Sequence, residues 1–367
     1  MAEVKTITTH TLRNWLEIGQ PVSIVDIRPM NERAEWFIPG SIHFNAYEKL
    51  KNNDIEVFKD LHLDKSVPVV TVCAGGKMSI VAAKILKLQG YDTYSLDAGM
   101  KGWGLSWNTA LLQFQNFEII QFRRTGKGCL SYMVISNNEA VVVDASLETS
   151  VYQQFLSSEK ATLKYVIETH IHADHLSRSK QLAEENNALL FLPVPNKVTF
   201  AHQGIEEGTV FKVGNIQITA MKTPGHTFES TTFFIENKVL LTGDTLFVNG
   251  VGRPDLKSNV QETEAKSKLL YQSLQKLFGL EEEVIILPSH TSQPVEFDNI
   301  PIQTTLKKVK DLPILQLSEE DFIKTLSERI PATPANYLSI VEKNIQGDFS
   351  DINPIDLESG ANRCAIS

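Results

Sequence analysis

The sequence predicts two successive modules, an α/β domain built on a buried parallel sheet and a larger one in which strands pack under helices. Three observations carry that reading. The chain has 367 residues, beyond the roughly 100–200 of one ordinary domain. Its first part alternates short apolar strands with helical segments, and near residue 110 the pattern becomes β-rich. The apolar share, 42% against 22% charged, supplies more than one core, yet no apolar stretch approaches the roughly 20 residues of a membrane span.

In chain order, residues 22–27 and 68–73 are continuous apolar and β-branched runs, as buried parallel strands are. Residues 79–88 carry apolar side chains at helical spacing until Gly90 stops them, so Cys73 is expected at a strand's C-terminal end. Strands follow at 117–122, 132–136 and 140–144, then a helix at 149–158 and a strand at 164–169 that runs into a histidine cluster. Further strands are expected at 216–221, 231–236 and 239–242, and residues 262–278 form a helix with an apolar stripe. The tail after Pro331, rich in Asn, Pro and Ser, is expected to be irregular and to wrap the second module. The divisions are therefore placed at 1–110 and 111–367.

A formal net charge of -9 and the lack of any Lys/Arg run exclude nucleic acid as the main partner, because phosphate binding needs a concentrated basic face. The three cysteines, Cys73, Cys129 and Cys364, make no secreted disulfide framework and fit a reducing cytoplasm. The N-terminus carries no export signal and the chain no membrane anchor. Small-molecule chemistry is the expectation that remains.

That chemistry is indicated by Thr169-His170-Ile171-His172-Ala173-Asp174-His175, directly after an apolar strand. Metal ions need several donors converging on one point, and a strand-end loop lets alternate side chains do this. Thr223-Pro-Gly-His226, Gly243-Asp244 and Ser289-His290 each follow a further strand. A lone histidine is most often a surface residue, but donors recurring at four strand ends are not explained that way.

This pattern resembles the metallo-β-lactamase superfamily over residues 117–330, which implies a four-layer αβ/βα sandwich with the site at its edge. A narrower likeness lies in Thr242-Gly-Asp244-Thr-Leu-Phe-Val-Asn-Gly-Val-Gly252-Arg253-Pro254-Asp255, with Gly126-Lys-Gly-Cys-Leu-Ser-Tyr132 and Gly360-Ala-Asn-Arg-Cys364; these resemble the persulfide dioxygenase branch. The resemblance implies one Fe(II) per chain held by His170, His226 and Asp244. His172, Asp174, His175 and His290 would then surround the ligands, with Asp174 and His290 tuning ligands and protons. Two imidazoles and a carboxylate leave three octahedral positions open, enough for O2 and a substrate sulfur. Ligand counting alone leaves a second possibility, a dinuclear zinc glutathione-thioester hydrolase of the glyoxalase II type, in which two Zn would draw on His172 and His175 as well. Arg253 either anchors the carboxylate of a thiol carrier such as glutathione persulfide or pairs with Asp255 to brace its loop. Thr291-Ser292 stand where Asp-Tyr is common in that branch.

Asp26-Ile-Arg28, Ile38-Pro-Gly-Ser-Ile42, Cys73-Ala-Gly-Gly-Lys-Met-Ser79 and Gly99-Met-Lys-Gly-Trp103 resemble the rhodanese domain over residues 5–107. The resemblance implies that Cys73 carries a persulfide cradled by backbone N–H groups at a helix N-terminus, donors that stabilise an anionic sulfur. Met78 replaces the arginine usual in active loops, and Lys77 supplies only a point charge, so a rhodanese fold without efficient transfer is the competing reading. Cys129 and Cys364 are expected to be packing cysteines. Together the modules imply a persulfide dioxygenase that oxidises glutathione persulfide, or a similar small persulfide, with O2 to sulfite. Its rhodanese domain would exchange sulfur with thiols and thiosulfate. A rival role for that domain is docking or sulfide sensing through Cys73. The resemblance and the frequency of two-fold association allow a homodimer.

Overall fold

The computed structural model of the chain describes residues 4–194, 197–256, 258–328, 333, 336–360 and 364–366. Five short strands form the first sheet, all parallel, in the order Lys5–Ile7, Thr93–Leu96, Val69–Val72, Ser23–Asp26, Ile42–His43. Val69–Val72, buried at every position, lies at the centre, and Cys73 emerges from its C-terminal end as expected. The helix that follows, Lys77–Leu88, starts two residues before the apolar periodicity does. Its cap is Gly76 at φ 85°, a left-handed conformation that suits glycine.

The rest of the chain builds two mixed sheets packed face to face. One has seven strands, of which Glu139–Val143 and Thr162–Ile167 pair in parallel; the other has six, of which Val239–Gly243 and Ile285–Pro288 pair in parallel. Between them lies an apolar layer including Ile119, Val134, Val141, Phe211, Phe233 and Leu241. Helices Thr149–Ser158 and Ser179–Asn186 cover the outer face of the first sheet through Tyr152, Leu156 and Leu182. Helices Val260–Phe278 and Glu319–Glu328 cover the other through Leu270, Leu274, Phe322 and Leu326. The expected αβ/βα order of four layers is thus observed.

The tail departs from expectation. Its described part is substantially helical, with Tyr337–Gln346 and the short Pro354–Leu357. The Asn and Pro content masks an amphipathic pattern in which Ile340 is buried while Glu342 faces out. Pro331 itself, and Ala361 to Arg363 of the terminal motif, lie outside the described residues. Ala365–Ile366 returns to pair antiparallel with Val251–Gly252 of the second module. No helix among the described residues is long and apolar enough to cross a membrane.

Candidate functional site

Four strand ends converge at one edge of the sandwich. Thr162–Ile167 delivers the histidine cluster, Ile216–Lys222 leads to His226, Val239–Gly243 to Asp244, and Ile285–Pro288 to His290. Gly243 turns at φ +54°, where a Cβ would lie 2.8 Å from that of Thr169; this close approach brings the two sheets' loops together.

His170, His226 and Asp244 meet there, all buried, with one donor atom each in mutual reach. Asp244 Oδ2 lies 3.8 Å from His170 Nε2 and 3.4 Å from His226 Nε2. It is buried without a hydrogen-bond partner, a costly state unless something else satisfies it. Both rings present lone pairs to it. His226 Nδ1 donates to the Arg253 carbonyl at 2.7 Å, which leaves Nε2 unprotonated in the neutral ring. Thr169 Oγ1 gives its proton to Asp144 Oδ2 at 2.9 Å, so at 2.9 Å from His170 Nδ1 it accepts, and His170 Nε2 is likewise free. Burial holds the pKa of both rings down, that of His170 well below the usual range. These neutral imidazoles and an ionised carboxylate suit a divalent metal ion.

A second set lies beside the first. His290 bridges two carboxylates, with Nδ1 at 2.5 Å from Asp244 Oδ1 and Nε2 at 2.8 Å from Asp174 Oδ2. Burial opposes its protonation, but Asp174 and then Asp244 outweigh this and hold the ring's pKa well above the usual range. Asp174 also takes His175 Nδ1 at 3.1 Å and the Cys129 thiol at 3.0 Å. His172 Nε2 is 3.2 Å from Asp144 Oδ1 and 3.0 Å from Glu168 Oε2, while its Nδ1 is buried without a hydrogen-bond partner.

The buried thiols were read too narrowly. Cys129 and Cys364 are buried as expected of packing cysteines, but Cys129 shares a donor cluster with Asp174, His175 and His290, and Cys364 one with Asp244 and His290. Both lie in segments quoted for the persulfide dioxygenase likeness but carry no ligand spacing of their own; Cys129 meets His290 through an isolated antiparallel bridge and Cys364 arrives by the tail's return. Asp144, Glu168 and Glu358 were also missed. Glu358 Oε1 accepts the Leu176 N–H at 2.5 Å, directly after the histidine motif, and Oε2 takes Arg124 at 3.3 Å.

Arg253 is fully buried and forms a bidentate pair with Asp255, Nε to Oδ1 at 2.8 Å and NH2 to Oδ2 at 2.6 Å. The pair is what the bracing role requires, and the Arg253 carbonyl orients His226. A cavity of about 260 Å³ opens beside His226, lined also by Ile171, Ala173, Phe228, Lys197 and Lys266. Lys197 pairs with Glu229 at 3.0 Å, and Lys266, largely buried, donates to the Leu256 carbonyl at 3.3 Å.

Cys73 lies at a separate site. Its sulfur receives the Gly76 N–H at 3.1 Å and the Ser79 N–H at 3.4 Å, with Ser79 Oγ also at 3.4 Å. A cavity of about 430 Å³ adjoins it, lined by Lys77, Met78 and Lys101 and closed by Asn353 and Ile355 of the tail.

Two family models match the chain: the rhodanese-like domain over residues 8–106 and the metallo-beta-lactamase superfamily over 124–290. Persulfide dioxygenase ETHE1 of Bos taurus is 30% identical over 201 residues, 72% of that protein and 52% of this chain. Hydroxyacylglutathione hydrolase of Francisella tularensis subsp. novicida is 27% identical over 217 residues, 83% of that protein and 54% of this chain. The crystal structure of ETHE1 from Myxococcus xanthus superposes with a TM-score of 0.53 at 27% identity, covering 96% of that chain and 61% of this one.

Proposed function

The chain belongs to the metallo-β-lactamase superfamily and carries a rhodanese-like domain ahead of it, and on that premise we propose that it is an iron(II)-dependent persulfide dioxygenase. It oxidises glutathione persulfide, or a similar small persulfide, in the balance RSSH + O2 + H2O giving RSH, sulfite and two protons. The observation that carries this reading is the three-donor cluster itself: His170, His226 and Asp244 converge in a group that does not include His172. Two imidazoles and one carboxylate are the ligand set of iron oxygenases that keep positions open.

Iron bound there would supply the site for O2 and for the terminal sulfur. Thr169 and the Arg253 carbonyl fix the tautomers of His170 and His226. His290 holds a proton between Asp244 and Asp174, within reach of the ligand carboxylate. Lys197 and Lys266, facing the cavity beside His226, take the carrier-anchoring part first weighed for Arg253. At the other site the Cys73 thiolate takes the outer sulfur of thiosulfate, releasing sulfite, and passes it to a thiol as RSSH; the reverse transfer uses the same groups. The Gly76 and Ser79 N–H groups support the anionic sulfur.

The cluster of Cys129, Asp174, His175 and His290 favours the second reading, a dinuclear zinc hydrolase of glutathione thioesters. Metal analysis of anaerobically purified protein, coupled to oxygen uptake with glutathione persulfide, separates the two. Iron near one per chain with uptake supports the dioxygenase; two zinc ions and no uptake after iron reconstitution sink it.

A further inference from the structure

The cavity beside His226 has the C-terminal tail as one of its walls. Helix Tyr337–Gln346 contributes Tyr337, Val341 and Ile345, spaced i, i+4 and i+8 and so one above another on a single helix face. The neighbouring stripe, Ile340 and Asn344, is buried. Asn344 bolts the helix to the histidine loop: its amide donates to the His172 and His175 carbonyls at 2.9 Å each, and its Oδ1 accepts the Ser177 N–H at 2.9 Å. The three cavity residues are only half-buried, so they hold apolar surface that a ligand can cover. Phe228, 52% exposed, adds an aromatic face.

The charged lining of the same cavity is mostly spoken for. Glu229 takes Lys197 at 3.0 Å, and Glu262 accepts the Asn259 N–H at 3.0 Å in the capping box of its helix. Lys266 differs. It is 6% exposed, bonds to the Leu256 carbonyl at 3.3 Å and stands over the Phe228 ring at 5.7 Å, with no carboxylate in ion-pair contact among the described residues. A cation buried in that way is costly unless an anion joins it.

We propose that the tail helix and Lys266 together select the substrate, and that it is a persulfide whose carrier joins an apolar stretch to an anionic group. The anion meets Lys266, the apolar stretch lies along Tyr337, Val341 and Ile345, and the sulfur points towards His226. This rests on the persulfide reading above and narrows it. An alkyl carboxylate carrier satisfies both walls at once, and the three helix residues determine specificity.

The test titrates the full-length, metal-loaded protein with the thiols that such persulfides leave behind, which bind without turnover. Thiol-terminated propionate, butyrate and hexanoate should bind progressively more tightly, by about twofold per methylene laid on the half-buried stripe, against roughly fourfold for complete burial. Thiol-terminated hexanol, which lacks the anion, should bind about tenfold more weakly than the hexanoate. Val341→Ser combined with Ile345→Ser should flatten the chain-length series and keep the gap between hexanoate and hexanol. Lys266→Met should close that gap and keep the series. A flat series in wild type, a double variant that retains the wild-type slope, or a gap that survives Lys266→Met overturns the proposal; the wild-type series and Lys266→Met decide it if the double variant does not fold. A steep series without oxygen uptake from any of the matching persulfides sinks the dioxygenase reading and supports the selectivity, whereas uptake with a flat series does the reverse.

Discussion

Replacing Glu358 by Ala removes a buried carboxylate that fastens the C-terminal tail to the residue after the histidine motif. Glu358 is 2% exposed, and its partners Arg124 and Arg178 are 1% and 2% exposed. Arg124 NH2 lies 3.3 Å from Oε2 and Arg178 NH1 3.9 Å from Oε1, while Oε1 also takes the Leu176 N–H. Truncation leaves the buried Arg124 guanidinium without its carboxylate, while Arg178 keeps Glu148 at 3.2 Å, and breaking such a buried pair costs ~3–5 kcal/mol. At about 1.4 kcal/mol per tenfold, the open state of the tail should become roughly a hundred- to several-thousand-fold more populated. Cys364 reports that opening, because it is 2% exposed on the tail itself. Peptide-resolved labelling with a pyridyl disulfide should therefore speed up at Cys364 by that factor and stay slow at Cys129, which is buried but not on the tail. Equal acceleration at both thiols would mean global unfolding, and no acceleration at Cys364 would mean that Glu358 does not fasten the tail; either result refutes the reasoning.

The same carboxylate gives a pH prediction: burial works against its ionisation, but Arg124 and then Arg178 hold its pKa below the ordinary 4.5. A depressed carboxyl stabilises above its ordinary value and loses that contribution as pH falls through the depressed one, so Cys364 labelling, taken relative to an unprotected thiol at the same pH, should stay flat down to pH 4.5 and climb only in stronger acid. Lys266→Met should raise KM for the persulfide about tenfold, as loss of a charged contact does, with metal content unchanged by elemental analysis. Asp255→Asn should do the reverse, lowering metal affinity about tenfold through the Arg253 brace behind His226 while KM holds, as read by metal titration and initial rates. Cys73→Ser should abolish thiosulfate:thiol transfer and spare oxygen uptake with preformed persulfide; loss of uptake at unaltered iron content would join the two roles kept apart here.

The layered architecture was legible because its cause is local: continuous apolar runs make buried strands, and 3.6-residue spacing makes the covering helices. The convergence of His170, His226 and Asp244 was legible for a different reason, that their motifs each follow a strand and the family pattern relates those strands. What escaped is pairing between distant segments. Nothing around Glu168 announces that it will meet His172 and Asp144, since the contact depends on how the strand-end loop folds back. Cys129 meets Asp174 across 45 positions, and Arg124 meets Glu358 across 234. The guanidinium of Arg253 could be read equally as anchor or brace from its spacing to Asp255; its burial and its pairing are what the structure adds.

The tail connects what the sequence treats as separate sites. Asn353 and Ile355 close the cavity beside Cys73, Glu358 fastens the residue after His175, and Cys364 stands among Asp244 and His290. Lys127, in the loop just before Cys129, adds bonds to the Glu358 and Gly360 carbonyls at 2.8 and 3.3 Å. By contrast, the contact nearest Cys73, Lys101 to Asp356 at 4.0 Å, joins exposed groups and contributes little. The tail is therefore anchored firmly at the metal-side end and lightly at the cysteine end. Access from the tail side of the donor cluster must first break the buried Glu358 contacts.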